Sequence, residues 1–266
     1  MSSKYENDLA IVSAILEKPA EEITAADRAR LVSIVAVSYH DAEGSKIVGL
    51  FSIDSSCHGC EFCQHMREAA DGNPLHICGM CYDFRQEQYR KGMQQRHALT
   101  MRVLSSVDFT VQELAALPVP GMCRFNSSGD LVNAIHARNY IRIAMSHPFA
   151  RFTLWAKNVR AAEAAFDALG KPSNMLFIQS SPIIGRPCRR SRWADYTFTV
   201  YPDEATTAAA IAAGACACNG RKCRDCGYKC YSGEWAPGSD IAELLRVGKD
   251  RRAEILAAYN AAEAAR

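Results

Sequence analysis

The chain has 266 residues and a mass of 29.2 kDa, and its 31 Lys and Arg residues against 29 Asp and Glu residues give a formal net charge of +2. Its 48% hydrophobic and 23% charged content is typical of a globular protein. This composition excludes a disordered chain, a collagen-like repeat and a strongly charged nucleic-acid coat. No apolar run approaches the roughly 18 residues of a membrane span, and the N-terminus does not resemble a secretion signal, so we expect a cytoplasmic protein.

The first part of the chain is predicted to be helical, and the middle to alternate strands with helices. Apolar spacing predicts two helices within residues 6–41, and the β-branched run at 46–53 predicts the first strand. Helices over 82–104 and 111–117 are expected next. Further strands are predicted at 122–126, 151–156, 174–179 and 195–201. Further helices are predicted at 132–146, 159–169 and 204–213, and a single amphipathic helix at 240–266.

Strands separated by helical segments of this length predict parallel βαβ units. We therefore expect an α/β fold built as a partial (βα) barrel of about five to six parallel strands. The expected division is a helical extension over 1–45, the barrel over 46–215, and a Cys-rich segment with a C-terminal helix over 216–266.

Polar residues follow several of the predicted strands at the point where each strand ends. Because parallel βα arrays place their chemistry at the carboxyl ends of strands, these residues are expected to gather on one rim. The segments concerned are 54–57, 126–130, 157–158 and 179–181.

The twelve cysteines are unevenly distributed, because all but Cys123 and Cys188 fall in two short stretches. We define the first cysteine group as Cys57, Cys60, Cys63, Cys78 and Cys81. The second cysteine group is Cys216, Cys218, Cys223, Cys226 and Cys230. Clustered thiols in a chain without a secretion signal are more often metal ligands than disulfides. Cys123 and Cys188 are expected to be ordinary thiols.

The spacing of the two groups is compatible with two kinds of metal centre. Pairs of cysteines separated by two residues are typical of structural zinc sites with four ligands. The C-x4-C-x2-C-x3-C pattern from Cys218 to Cys230 is close to that of ferredoxin-like iron–sulfur proteins. Five cysteines in each group exceed four ligands, so one in each is expected to stand apart. On spacing alone, zinc and iron–sulfur are equally favoured.

Several short motifs resemble a known family in their order and spacing. They lie at 78–82, 124–130, 152–157, 174–181 and 230–231. They resemble the phage-encoded "gene product eighty-eight" family, whose members are largely uncharacterised, and the resemblance covers residues 46–235. It implies a protein of the host cytoplasm. Residues 57–63 depart from the family pattern, because they carry an extra cysteine pair and a longer gap before Cys78.

Through that family the layout also resembles the radical S-adenosylmethionine enzymes. The resemblance implies that three cysteines after the first strand hold a 4Fe–4S cluster, and that a Gly-acidic motif after the next strand receives the amine of adenosylmethionine. Ser128, Gly129 and Asp130 match that motif here, whereas the first cysteine group lacks the usual CxxxCxxC spacing. Lys157 and Ser180 are further candidate cofactor contacts. An ordinary interpretation stays open, in which Asp130 caps a helix and Lys157 belongs to a turn.

Three functional hypotheses follow from these patterns. The first is a radical-SAM-like enzyme with one or two 4Fe–4S clusters that acts on an unidentified small or macromolecular substrate. The second is a zinc-binding interaction module that docks nucleic acid or protein, for which the basic run 186–192 is a candidate surface although the net charge gives no general support. The third is an iron–sulfur protein that transfers electrons or senses redox state. No membrane partner is expected.

Overall fold

The computed structural model describes residues 4–218 and 222–265. The chain begins with helix α1 (Lys4–Leu16) and helix α2 (Ala25–Ile34). Helix α2 begins with a capping box, in which Thr24 and Asp27 satisfy each other's backbone N–H groups. Both predicted N-terminal helices are thus present, and they pack against the main hydrophobic core through Val12 and Leu31. No helix in the described ranges is long and apolar enough to cross a membrane.

The described strands form one open sheet of eight strands with β1 and β7 at its edges. Strand β1 pairs with β2 in antiparallel orientation, and every other neighbouring pair is parallel. Their order across the sheet is β1 (Ser38–Tyr39), β2 (Phe51–Ile53), β3 (Met122–Phe125), β4 (Arg151–Ala156), β5 (Met175–Ser180), β6 (Tyr196–Tyr201), β8 (Asp240–Leu244) and β7 (Cys216–Cys218). The prediction of a largely parallel α/β fold is confirmed. The described strands do not close into a complete barrel.

The remaining helices lie mostly in the connections between strands. They are α3 (Glu61–Glu68), α4 (Tyr82–Tyr89), α5 (Lys91–Ser106), α6 (Val111–Leu114), α7 (Ala134–Ser146), α8 (Val159–Leu169), α9 (Glu204–Ala212), α10 (Lys229–Ser232) and α11 (Lys249–Ala264). Short 3-10 turns occur at Ala20–Glu22, Ile77–Met80 and Cys223–Cys226. The helix predicted at 82–104 is divided in two, because Arg90 leaves the helical conformation with φ −106° and ψ 70°.

The prediction of one helix over 240–266 is wrong for its first part. Residues Asp240–Leu244 form strand β8, which pairs with β6 on one side and β7 on the other. Ile241 and Ala242 are fully buried there. Sheet pairing on both sides thus overrides the helix-forming tendency of a segment that contains Ala, Glu and Leu. The first predicted strand is also shorter than expected, because Gly49 lies in a turn with φ +85°.

The sheet buries its two faces against different parts of the chain. Strands β2 to β6 follow one another in chain order, and right-handed crossovers between such strands place the helices on one face. The helix-side core includes Phe152 and Leu154 of β4. Trp155 points to the opposite face, where it packs with Cys223 and Tyr231. The segment that carries the second cysteine group, including the short helix α10, therefore covers the opposite face, which we call the second face.

Candidate functional site

The first cysteine group lies in the long connection that follows β2. Two of its thiols occupy N-cap positions of helices. The Cys60 sulfur accepts a hydrogen bond from the Cys63 amide at 3.5 Å at the start of α3, and the Cys81 sulfur accepts one from the Phe84 amide at 3.4 Å at the start of α4. Helix N-termini carry partial positive charge and favour the thiolate form of cysteine. The pKa of Cys60 is lowered, mainly by the thiol of Cys63, whereas the hydrogen bond with Cys57 raises the pKa of Cys81 despite the Phe84 amide.

Four thiols of this group lie close together. The thiol of Cys57 is hydrogen-bonded with those of Cys63 and Cys81, and Cys63 also contacts Cys60. The hydrogen bonds from Cys63 and Cys81 lower the pKa of Cys57, and the same bonds raise the pKa of Cys63 and of Cys81. The role of these thiols as metal ligands stays a prediction.

Cys78 lies beside these four thiols, and Lys157 is close to Cys78, Cys81 and Cys63. Burial raises the pKa of Cys78, and the positive charge of Lys157 opposes that shift. Burial lowers the pKa of Lys157, but the neighbouring Cys78, Asp130 and Cys81 outweigh it, so that the net shift is upward. Lys157 is therefore a fixed positive charge next to the cysteines.

Asp130 joins the loop after β3 to the end of β4. Its buried carboxylate accepts hydrogen bonds from the amides of Leu131 and Lys157, both at 2.8 Å, and from that of Asn158 at 3.3 Å. The alternative in which Asp130 caps the next helix is wrong, because Asn133 is the N-cap of α7. Burial raises the pKa of Asp130.

Gly129 is in close contact with the loop after β2. Its φ is +75°, and a Cβ atom at this position would lie 2.4 Å from the carbonyl oxygen of Ser55. The Ser55 amide donates to the carbonyl of Ser128 at 3.1 Å, and the Gly129 amide hydrogen-bonds to the sulfur of Cys57. The Ser128 hydroxyl is 4.0 Å from the same sulfur. Because Gly129 has no side chain, the loop after β3 can contact the loop after β2, which carries Cys57.

The second cysteine group lies on the second face of the sheet. Cys218, at the end of β7, has its sulfur 3.7 Å from a carboxylate oxygen of Glu243 on β8. The thiol of Cys226 donates to the carbonyl of Cys223 at 3.1 Å. Burial raises the pKa of Cys230 to about 12. Cys216 lies at the start of β7 and is half-buried.

A cavity of about 140 Å³ lies between the second cysteine group and strands β3 to β6. Lys157 and Ser180 lie on its wall, as does Ile77 from the connection that carries the first group. Three thiols of the second group line it as well, namely Cys218, Cys223 and Cys230. None of the five thiols of the first group lines this cavity, so a shared rim stays a prediction. Ser128, Gly129 and Asp130 are not among its lining residues but support Cys57 and the strand ends around it.

All twelve cysteines are free thiols. Cys123 is part of the helix-side core, and the Cys188 sulfur lies 3.9 Å from the Gln179 carbonyl, outside both groups. Over the ranges 4–218 and 222–265, no set of three or more His, Cys, Asp or Glu side chains is arranged to hold a single metal ion.

Comparison with known families agrees with the motif resemblance. A profile of the Gene product 88 family matches residues 16–231, which is most of the chain and includes both cysteine groups. The protein belongs to the Gene product 88 family. The match begins in α1, so the family extends further toward the N-terminus than the predicted start at residue 46. Neither the curated proteins nor the solved structures contain a significant match.

A buried polar network that sequence reasoning missed supports the first cysteine group of this family member. Asp54 accepts hydrogen bonds from the Ser127 hydroxyl at 2.6 Å and from the Ser128 amide at 3.0 Å. Glu87, which is fully buried, accepts from the Ser56 hydroxyl at 2.9 Å. These bonds fix both sides of the loop that leads into Cys57.

His97 lies between the two carboxylates of this network. Its Nδ1 is 3.2 Å from Glu87 and its Nε2 is 3.8 Å from Asp54. Burial lowers the pKa of His97, but the Glu87 hydrogen bond and the charge of Asp54 outweigh it and the net shift is upward. Helical periodicity predicts only that Glu87 and His97 lie on separate turns of one helix. No local pattern indicates that the two side chains meet.

Proposed function

We propose that the first cysteine group binds an iron–sulfur cluster and that the protein is a radical-SAM-like enzyme. The observation that carries this proposal is the set of four neighbouring thiols that follow β2 at the carboxyl end of the parallel sheet, beside Lys157 at the end of β4. Active sites of βα folds occupy this end of the sheet. Consecutive parallel strands with helices on one face also support a partial-barrel layout.

The chemistry of the donors suits an iron–sulfur cluster. A tetrahedral zinc site with Zn–S bonds of about 2.3 Å brings four sulfurs into mutual contact, about 3.8 Å apart around one point. Within the described residues, no three such side chains are arranged to hold one ion. The ligands of a cluster bind different irons, so the thiols of Cys57, Cys60, Cys63 and Cys81 need not converge on one point to hold a cluster.

The residues around the group have defined tasks in this proposal. The helix N-termini at Cys60 and Cys81 stabilise thiolates, and Lys157 offsets their negative charge. Asp54 and Glu87 hold the loop by its serines and amides. Adenosylmethionine, when bound, would supply the radical chemistry. Ser128, Gly129 and Asp130 would position Cys57 and the adjacent strand ends, since their polar groups are engaged in contacts between loops.

The metal is tested on the full chain purified without oxygen. We expect iron and acid-labile sulfide in the protein, with a broad absorption band near the visible range. Cys57→Ser should lower the iron content strongly, whereas Cys188→Ser should not, because Cys188 lies outside both groups. Zinc without iron or sulfide in wild-type protein would contradict the proposal and favour a zinc-binding module.

The enzymatic part has its own test. Reduced, cluster-loaded protein should form 5′-deoxyadenosine from adenosylmethionine. A loaded cluster that never does so would leave electron transfer or redox sensing as the function. In this proposal the second cysteine group binds an auxiliary iron–sulfur cluster. Cys223→Ser should then reduce the iron content without abolishing it.

A further inference from the structure

Three buried polar atoms on the cavity wall lack a hydrogen-bond partner. They are Nε of Arg124, Nε1 of Trp155 and the hydroxyl oxygen of Tyr231. Tyr231 is only 2% exposed and Trp155 only 9%. Buried polar groups in native proteins almost always have a partner, and leaving them without one costs folding free energy. The Tyr231 hydroxyl lies against the Arg124 guanidinium group. Arg124 Nε and Trp155 Nε1 can only donate, so the partner that they lack is an acceptor.

Arg124 contributes a positive charge to this wall of the cavity. It lies on β3, and its guanidinium carbon is 4.3 Å from the centre of the Trp155 ring. Stacking on an aromatic ring fixes the plane of the guanidinium group and leaves its edges free to donate. Within the described ranges, no carboxylate oxygen lies within 4.0 Å of its nitrogens. The charge nevertheless stays on Arg124, because Arg is protonated at any physiological pH.

The other two cations of the cavity already have negative neighbours. Lys46 forms an ion pair with Glu243 at 2.6 Å. Lys157 lies against Asp130 and the first cysteine group. Arg124 is therefore the cation available to a ligand.

We propose that this cavity binds a small organic carboxylate, held by Arg124 with Trp155 and Tyr231 as additional donors. That this carboxylate is a substrate rests on the proposed function, whereas its binding requires only the cavity. The volume of about 140 Å³ resembles that of cavities of about 150 Å³ that take one benzene molecule. A planar carboxylate matches the planar guanidinium edge. A phosphate dianion would meet the negative Glu243 on the same wall.

A different explanation is that Arg124 only neutralises the second cysteine group, since Cys223 lies near it. The two explanations predict different results. If Arg124 serves the ligand, its removal lowers carboxylate affinity and leaves the metal content unchanged. If it serves only Cys223, wild-type protein shows no carboxylate binding and removal of Arg124 changes the metal content.

The test is calorimetric titration of the full chain, prepared without oxygen, with acetate, propionate and benzoate. Propionamide is the neutral control and inorganic phosphate the alternative anion. We expect the carboxylates to bind and propionamide not to bind. Arg124→Gln should weaken binding between about tenfold and hundredfold, because it removes a charge-assisted pair of hydrogen bonds. Arg124→Lys, which keeps the charge in the fold, should weaken it less.

Two further variants complete the design. Tyr231→Phe should weaken carboxylate binding several-fold while preserving the shape of the cavity. Arg192→Gln is the matched control, because the Arg192 side chain is 71% exposed and pairs with Asp167, and it should leave binding unchanged.

Failure of wild-type protein to bind any of the three carboxylates would overturn the inference. Equal binding of propionamide, or tighter binding of phosphate, would overturn it as well. Iron is measured on the same samples, which keeps the two proposals distinguishable. Carboxylate binding by protein that holds zinc alone would refute the iron–sulfur proposal and leave this inference standing.

Discussion

Replacing Gly129 with alanine tests whether contact between two loops holds Cys57 in place. A Cβ atom here would lie 2.4 Å from the carbonyl oxygen of Ser55 and 2.6 Å from its Cβ, which are backbone-level clashes that no side-chain rotation relieves. Relieving such overpacking costs about 1–3 kcal/mol, and the left-handed conformation adds about 1–2 kcal/mol for alanine. Gly129→Ala should therefore lower the free energy of unfolding by about 2–5 kcal/mol.

The matched control is Gly170→Ala. Gly170 has nearly the same φ, +74°, but a Cβ atom there would meet nothing within 4 Å. Its ψ of 164° is a conformation found almost only in glycine, so backbone strain alone should cost about 1–3 kcal/mol. Any excess loss in Gly129→Ala then reports the clash with Ser55.

Urea denaturation followed by circular dichroism measures the stability of both variants, and iron and sulfide are measured per chain. Gly129→Ala should lose bound iron, because displacement of the Ser55 loop moves Cys57 away from the other thiols. Gly170→Ala should retain it. The reasoning would be refuted if Gly129→Ala were no less stable than Gly170→Ala, or if it kept its full iron content.

Three other predictions concern titratable side chains. Burial lowers the pKa of His136 to about 3, whereas the unfolded value is about 6.5. The stability that the neutral side chain contributes is therefore complete above pH 6.5 and is lost as the pH falls toward 3. At pH 5 the loss amounts to about 2 kcal/mol. His136→Gln should shrink the difference between urea titrations at pH 7 and pH 5 by that amount, and an unchanged difference would contradict the assignment. Glu87→Ala should destabilise the protein by about 2–4 kcal/mol and lower its iron content, because Glu87 is fully buried. The Glu68 side chain is 79% exposed, so Glu68→Ala should do neither. Equal effects of the two substitutions would refute the role of the buried network. Arg28 holds the pKa of Glu113 at about 2, so this pair stabilises the fold above the unfolded pKa of about 4.5 and is lost as the pH falls toward 2. Because both side chains remain partly exposed, Glu113→Gln should cost no more than about 1 kcal/mol at pH 7 in the same titration, and a larger loss would show that the pair is better shielded than its exposure indicates.

Sequence periodicity predicted the central parallel strands well, because each is a short apolar run bounded by turn residues. Strand β4 and helix α8 have the predicted bounds, and the polar residues after β4 do lie at the rim. Strand β8 was missed because its short sequence also suits a helix. Its identity as a strand depends on neighbours that come from distant parts of the chain.

The partners of the site residues could not be predicted from spacing. Asp130 precedes a helix, which is a typical position for a cap, yet its carboxylate binds amides at the end of β4. Arg124 is a charged residue in a short strand, which would ordinarily indicate a solvent-facing position. It is enclosed because the second cysteine segment covers that face of the sheet, an arrangement that depends on the tertiary fold alone.

The position of the second cysteine group follows from the way the sheet is wound. When consecutive parallel strands are neighbours, right-handed crossovers leave one face without helices, and its apolar side chains need another cover. Here Cys223, Cys230 and Tyr231 pack against Trp155 and Ile178 of that face. The same cover forms one wall of the cavity and encloses Arg124. A metal centre bound by this group would therefore also stabilise the packing of Cys223, Cys230 and Tyr231 against the sheet. Loss of the metal should expose Trp155 and, at the same time, weaken carboxylate binding.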